Sequence, residues 1–520
     1  MTHLCVPIFV TELAKARREV AAAAAAGADL VELRIDKLRD MNALMLLLED
    51  KILPAVVTCR SQSEGGHSQL DDAERMSRLA SAINGGAALV DLELQALPQM
   101  PQIPDKIQSR LIISAHDFSA TPGDLNKIVE EMNAMPAEVN KIVWRAGNIL
   151  DNLDALKLLI HPSRPTVALC MGEVGLLSRV LARKFGAFLT FASLDHESAT
   201  APGQVMIAEM KNLYRWDDIG PATKVFGVVA HPVRHSMSPA IHNAAFTATG
   251  YDGVYLPLLV EPDYTSFKAF MDEFVRFEEL NLSGLSVTIP HKENALRYLT
   301  QNGAAVEELA QIIGAVNTIV IRRGPGSAPV LSGKNTDYAA ILDSITTELD
   351  MDRENLAELR VAVLGAGGTA RAAVAGLAHY GATVIVSNRT RERAQSLADE
   401  FNGRRGKVSA VALDEVLRSD FQVFINTTSV GMYPNIGENP LGEHRPPFSA
   451  RTLVFDTIYN PLKTQLIAQA EGLGARTISG VEMFVRQAAA QFETWTGKTA
   501  PQPVMRRVIS ERLGLPLHTR

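Results

Sequence analysis

Short apolar runs recur every 20–35 residues through the first 215 positions. They are Leu4–Val10, Leu30–Ile35, Ala55–Cys59, Ala88–Leu94, Arg110–Ser114, Lys141–Trp144, Thr166–Cys170 and Ala187–Phe191. Charged, Ala- and Leu-rich stretches at helical spacing lie between most of them. Two units share wording: Gly27-Ala-Asp-Leu-Val-Glu-Leu-Arg34 and Gly86-Ala-Ala-Leu-Val-Asp-Leu-Glu93. Strands alternating with helices predict a parallel α/β sheet. Eight within about 200 residues predict a closed (β/α)8 TIM barrel over residues 1–219, with an open doubly wound sheet as the alternative.

A polar connector with a Gly-Pro breaker, Asp217–Thr223, precedes a second α/β pattern that starts at Val225-Phe-Gly-Val-Val-Ala230. Further on, Arg360–Leu364 reads as a strand, followed by a Gly-rich turn and an Ala-rich helix. Gly365, Gly367 and Ala370 fill the G-x-G-x-x-G/A positions. This strand–turn–helix context predicts a Rossmann domain whose backbone N–H groups meet a pyrophosphate. The next strand, Thr383–Ser387, leads into Asn388-Arg-Thr-Arg-Glu-Arg393. An acidic residue there would suit NAD; Arg389 and Arg393 suit the 2′-phosphate of NADP.

Composition narrows the class. The 520 residues exceed one core and predict three or four units at roughly 150 residues each. A net charge of −7 with dispersed Lys and Arg argues against nucleic-acid or anionic-membrane partners. No run of about 18 apolar residues predicts a membrane span. The N-terminus has neither signal- nor transit-peptide character, and Cys5, Cys59 and Cys170 lie far apart without metal spacing. A reducing, cytoplasmic setting is expected, with no metal.

A barrel places its chemistry at the C-terminal ends of its strands. Polar residues gather there: Glu32 and Arg34, Arg60 and Glu64, His116, and Arg179. Lys141 lies within an apolar run, where lost hydration favours the neutral amine that attacks a ketone. A nearby His could move protons. The residues alone leave Lys/His carbonyl chemistry open beside an unspecified metabolite barrel.

The segment resembles type I 3-dehydroquinate dehydratases. The resemblance rests on Val31-Glu-Leu-Arg34, Cys59-Arg-Ser-Gln-Ser-Glu-Gly-Gly66, His116-Asp-Phe118, Lys141, Gly175-Leu-Leu-Ser-Arg179 and Ala201-Pro-Gly-Gln204. It implies that Lys141 forms an imine and His116 moves the protons. Glu64 would orient His116, and Arg179 would hold the substrate carboxylate. Glu32, Arg34 and Arg60 would grip hydroxyls, while Met171, Phe191, Thr200 and Gln204 line or close the pocket. Thr200 stands where the family usually has Ser.

The second half offers His235-Ser-Met-Ser-Pro239, Ser286-Val-Thr-Ile-Pro-His-Lys292, Gly314-Ala-Val-Asn-Thr318 and Gly333-Lys-Asn-Thr-Asp337. A Lys/Asp pair beside a nicotinamide is what carbonyl reduction needs. These words resemble shikimate dehydrogenases over residues 222–500. The resemblance implies that Ser236 and Ser238 hold a carboxylate and that Lys292 and Asp337 are catalytic. Ser286, Thr288, Asn317, Tyr459 and Gln487 would bind the substrate. Gly365, Ala366, Gly367, Gly368, Thr369, Ala370, Asn388, Arg389, Thr390, Arg393 and Thr427 would bind NADP. Many bacterial members have Asn in place of Ser286. The helix near Glu482–Thr496 would pack back on the substrate lobe. The implied organisation is a barrel over 1–219, a substrate domain over 222–338 plus 481–520, and an NADP domain over 339–480.

Together the resemblances imply dehydration of 3-dehydroquinate and then reduction of 3-dehydroshikimate to shikimate with NADPH. The alternative is a quinate/shikimate dehydrogenase of broader range that keeps its barrel. Expected partners are these small molecules only, with the chain a monomer or homodimer.

Overall fold

The computed structural model describes residues 2–99, 105–195, 203–234, 236–324 and 326–514. Thr200 lies outside them. The chain forms two compact units. One holds Met1–Val225, Asp252–Glu261 and Ala269–Leu282; the other holds Phe226–Tyr251, Pro262–Lys268 and Ser283–Arg520.

In the first unit eight strands form a parallel, TIM-like near-barrel. They are β1 His3–Phe9, β2 Leu30–Arg34, β3 Ala55–Thr58, β4 Leu89–Glu93, β5 Leu111–Asp117, β6 Val139–Arg145, β7 Thr166–Met171 and β8 Leu189–Phe191. Their order is β7-β6-β5-β4-β3-β2-β1-β8. Phe188 N–H donates to Thr166 O at 2.8 Å, which ties the last strand to β7. The expected runs therefore become strands, with one shift that matters. β5 extends past Ser114 to Asp117, so His116 lies on the strand rather than after it.

The period-2 geometry of strands explains the interior. Cys5, Leu30, Val56, Leu89, Ile112, Val139, Val167 and Leu189 supply one buried apolar residue from each strand. Two residues further along, the inward positions become Glu32, Thr58, Asp91, Ser114, Lys141, Leu169 and Phe191, all buried. An apolar floor thus supports a charged layer at the C-terminal end.

In the second unit, strand Thr318–Arg322 pairs antiparallel with Leu282–Val287 and with Val330–Lys334. A separate parallel sheet runs in the order Lys407–Ala410, Thr383–Ser387, Arg360–Leu364, Val423–Asn426, Leu453–Asp456, Arg476–Ile478. Its strand order reverses between Arg360–Leu364 and Val423–Asn426, the crevice where open α/β sheets take ligands. The helix Gly480–Thr496 returns to the antiparallel sheet, where Gln491 Nε2 donates to Thr318 Oγ1 at 3.0 Å and Trp495 Nε1 to Ile319 O at 3.1 Å. Among the described residues, no helix is long and apolar enough to cross a membrane.

Candidate active sites

A cavity opens at the C-terminal end of the barrel. Glu32, Arg34, Arg60, Glu64, His116, Lys141, Met171, Arg179, Phe191 and Gln204 all line it. Lys141 projects from β6 into the charged layer. Its Nζ lies 2.8 Å from Asp91 Oδ2, 3.4 Å from Glu32 Oε1 and 4.6 Å from the Phe191 ring centroid. The amine therefore has two carboxylate partners as well as an apolar seat.

His116 Nδ1 lies 2.9 Å from Glu64 Oε2, and the His116 backbone N–H donates to the same oxygen at 3.2 Å. This commits Nδ1 and leaves Nε2 for a substrate. Burial is the main cause holding the imidazole well below its ordinary value, with Arg60 and Lys141 acting in the same direction. Burial also pushes Glu64 up to about 7 against the pull of Arg60. A neutral imidazole beside a carboxyl near neutrality can take and return a proton.

Arg179 sits on the short helix Leu176–Val180 after β7. It is almost fully buried, yet its Nε has no hydrogen-bond partner among the described residues. Burial pushes the guanidinium down to about 10. A buried, unpaired guanidinium calls for an anion, and a carboxylate fits its fork.

The loop that carries Arg60 and Glu64 is clamped on both sides. Asp36 accepts from Arg60 N and His67 N at 3.1 Å each, and from Arg34 Nη2 at 2.6 Å. Burial alone would raise Asp36, but Arg34 and the two N–H groups hold it below the usual carboxylate range. On the other side Glu93 accepts from Ser61 N at 2.9 Å and also binds Arg75.

The second unit has a cleft of about 1420 Å³. Ser236, Ser238, Ser286, Thr288, Lys292, Asn317, Asp337, Tyr459 and Gln487 line it, together with Thr369. Lys292 opens the helix Lys292–Gln301, and Asp337 lies in the first turn of Thr336–Leu349. Lys292 Nζ meets Asp337 Oδ2 at 2.5 Å. Asn317 Nδ2 donates to Asp337 Oδ1 at 2.9 Å, which fixes the carboxylate from its other side. A lysine so held could pass a proton to a carbonyl brought beside it.

The Gly-rich turn sits at the crevice of the parallel sheet. Gly365 has φ +118°, and a Cβ there would lie 2.4 Å from Thr427 Oγ1. Thr427 is itself fixed by donating Oγ1 to Leu364 O at 2.8 Å. Gly367 caps the helix Gly368–His379 without any side-chain cap, and a Cβ at Gly367 or Gly368 would meet nothing within 4 Å. Ala366, Thr369 and Ala370 complete this turn. Open N–H groups at a helix start fit a dinucleotide pyrophosphate. Asn388 Nδ2 holds Thr390 O at 2.9 Å, while Arg389 and Arg393 are exposed just beyond the strand.

Sequence reasoning misses three contributors. Asp91 and Glu93 were signalled by the repeated wording, which aligns Asp91 with Glu32 and Glu93 with Arg34. Gln491 lies four residues after Gln487, on the same helix face. It accepts from Ser286 Oγ at 2.7 Å and lines the cleft.

Comparisons with known proteins match four segments of the chain. Type I 3-dehydroquinase matches residues 4–221. The shikimate dehydrogenase substrate binding domain matches 228–319, shikimate / quinate 5-dehydrogenase 348–439, and the shikimate 5′-dehydrogenase C-terminal domain 480–509. A chloroplastic bifunctional 3-dehydroquinate dehydratase/shikimate dehydrogenase of Arabidopsis thaliana is 38% identical over 525 residues, 98% of this chain and 84% of its own. A shikimate dehydrogenase (NADP(+)) of Methanopyrus kandleri is 40% identical over 298 residues, 56% of this chain and 96% of its own. The pentafunctional AROM polypeptide of Candida glabrata is 31% identical over 511 residues, 93% of this chain and 31% of its own.

Proposed function

The chain belongs to the bifunctional 3-dehydroquinate dehydratase/shikimate dehydrogenase family of the shikimate pathway, and from that premise we propose how its residues divide the two reactions. Lys141 attacks the ketone of 3-dehydroquinate and forms an imine. His116 Nε2 removes a proton from the adjacent carbon, and the imine takes up the electron pair. The same proton returns to the β-hydroxyl, which leaves as water. Hydrolysis then frees Lys141 and 3-dehydroshikimate. Glu64 holds the His116 tautomer, and Arg179 anchors the carboxylate. Arg34 and Arg60 face the ring hydroxyls. Thr200 is assigned to the pocket rim by resemblance alone.

In the second unit Ser236, Ser238 and Tyr459 hold the carboxylate of 3-dehydroshikimate. Ser286, Thr288, Asn317 and Gln487 meet its hydroxyls. Lys292 gives a proton to the carbonyl oxygen, and Asp337 orients Lys292. NADPH, when bound, supplies the hydride. Gly365–Ala370 would cradle its pyrophosphate, Arg389 and Arg393 its 2′-phosphate with Asn388 and Thr390 shaping that site, and Thr427 would flank the nicotinamide side. We place the domains at 1–219, 222–338 with 481–520, and 339–480. Cys5, Cys59 and Cys170 are buried free thiols, which supports a reducing compartment such as the cytoplasm.

The observation that carries the reading is the buried Arg179, whose Nε has no hydrogen-bond partner among the described residues, in the same cavity as Lys141 and the His116–Glu64 pair. The test is to give the purified chain 3-dehydroquinate and NADPH and look for shikimate. Lys141→Ala should abolish dehydration and leave NADPH oxidation by 3-dehydroshikimate intact; Lys292→Met should do the reverse. Loss of both activities in either variant would refute the division. Quinate as the better substrate would replace the reductase assignment.

A further inference from the structure

The Lys/His/Glu chemistry gives no role to Asp91, the buried carboxylate in direct contact with Lys141. Asp91, on β4, is almost fully buried and shares its two oxygens among three donors. Oδ1 accepts from Arg60 Nη2 at 2.8 Å and Ser114 Oγ at 2.6 Å. Oδ2 accepts from Lys141 Nζ at 2.8 Å. Glu32 also approaches Nζ, but at 3.4 Å, and its fixed bond is a single one from Thr58 Oγ1 at 2.7 Å.

Counting protons separates the two carboxylates. The ammonium of Lys141 has three N–H bonds. Overall, ammonium and ketone give iminium and one water: the C=O bond breaks, C=N forms, two N–H protons leave in the water, and the positive charge is conserved. The iminium keeps one N–H, so it can keep one acceptor. The geometry points to Asp91 as that acceptor, the fixed counter-ion of the protonated imine, with Glu32 released to meet the substrate. This inference rests on the dehydratase reading above and adds a catalytic residue to it. A protonated imine withdraws electrons from the neighbouring carbon far better than a neutral one. An anion held against the one remaining N–H keeps the imine protonated while His116 works. Arg60 and Ser114 prevent Asp91 from following the substrate instead. The ionisable groups that line the cavity with Lys141 are Glu32 and Arg34 on β2, Arg60 and Glu64 after β3, His116 on β5 and Arg179 after β7, with Cys5 on β1 and Asp91 on β4 buried beside them. Of these, Asp91 and Glu32 make the ion pairs with Nζ.

The test compares Asp91→Asn with Glu32→Gln in the full chain. Borohydride traps the protonated imine formed with 3-dehydroshikimate, and intact mass reads the adduct across pH. Asp91→Asn should move the pH at which trapping fades downward by ~1–3 units, as expected on losing an opposite charge in contact. It should lower dehydration kcat about 100-fold with KM within about threefold. Glu32→Gln should leave the trapping midpoint in place and act mainly on KM. Ser114→Ala, which removes one restraint on Asp91, should move the midpoint the same way by less. The thermal unfolding transition of the barrel in the same chains serves as the folding control. A midpoint that moves in Glu32→Gln and not in Asp91→Asn, or in neither, overturns the inference. A wild-type chain that never traps overturns the dehydratase reading itself.

Discussion

Arg179 makes opposite demands on stability and activity, and the two can be measured on one variant. Burial lowers its guanidinium well below its ordinary value, to about 10. At ~1.4 kcal/mol per tenfold, that is about 3 kcal/mol held against folding. The sign follows from linkage. The folded value lies below the unfolded one, so the unfolded chain binds the proton more tightly. The cost is complete below about pH 10 and fades as pH rises toward the ordinary guanidinium value. Arg179→Met keeps an unbranched side chain and removes the charge. Near neutral pH the ligand-free barrel should gain up to ~3 kcal/mol, or about 6–12 °C for a unit of this size. On its proposed role, the same change removes the carboxylate anchor. Losing a buried, hydrogen-bonded charge pair costs about 2–5 kcal/mol, so kcat/KM for dehydration should fall by about 30- to 5000-fold. Thermal unfolding of the full chain with and without 3-dehydroshikimate reads both effects. The ligand should raise the barrel transition of the wild type and not that of the variant. A variant that unfolds at lower temperature, or that keeps its KM for 3-dehydroquinate, would refute the reasoning.

Two other expectations concern single groups. Glu64 sits at about 7 and His116 well below its ordinary value. Above that pH Glu64 is ionised and accepts from Nδ1, which makes Nε2 the basic nitrogen; protonation of Glu64 removes this as pH falls. Free-enzyme kcat/KM for dehydration should therefore drop below about pH 7, and Glu64→Gln should erase that limb at a lower plateau; a limb that persists in the variant excludes Glu64 as its source. Arg389→Ser should raise KM for NADPH about tenfold and leave KM for NADH unchanged, because only NADPH carries the 2′-phosphate; equal effects on both nucleotides would rule out the phosphate role.

The barrel was legible because its strands are buried on both faces and read as unbroken apolar runs between charged helices. What the runs hid was direction. Within Leu89-Val-Asp-Leu-Glu93 every residue is buried, so a polar letter inside a strand looks like an interruption. The structure resolves it by parity. Leu89 belongs to the apolar floor and Asp91, two residues on, to the charged layer, just as Leu30 precedes Glu32 and Val139 precedes Lys141. The same parity ends β5 too early when only apolar letters are counted, since Ala115 and His116 continue the strand past Ser114. Asp36 is harder still. It lies beyond β2, and its partners Arg60 and His67 are separated from it by 24 and 31 residues. No local pattern announces a carboxylate that caps backbone N–H groups of another loop. In the second unit the chemistry-bearing words were legible because each lies at a turn or helix start, where Lys292, Asn317 and Asp337 come to the surface of the cleft. Gln491 was not, because its carboxamide serves the buried junction of the returning helix with Ser286 and Thr318. The division is physical. Many of the residues proposed to meet a ligand, such as Arg34, Arg60, Lys292 and Asp337, sit at strand ends and helix starts, which sequence punctuation marks. Groups that hold those side chains in place are fixed by long-range packing, which it does not.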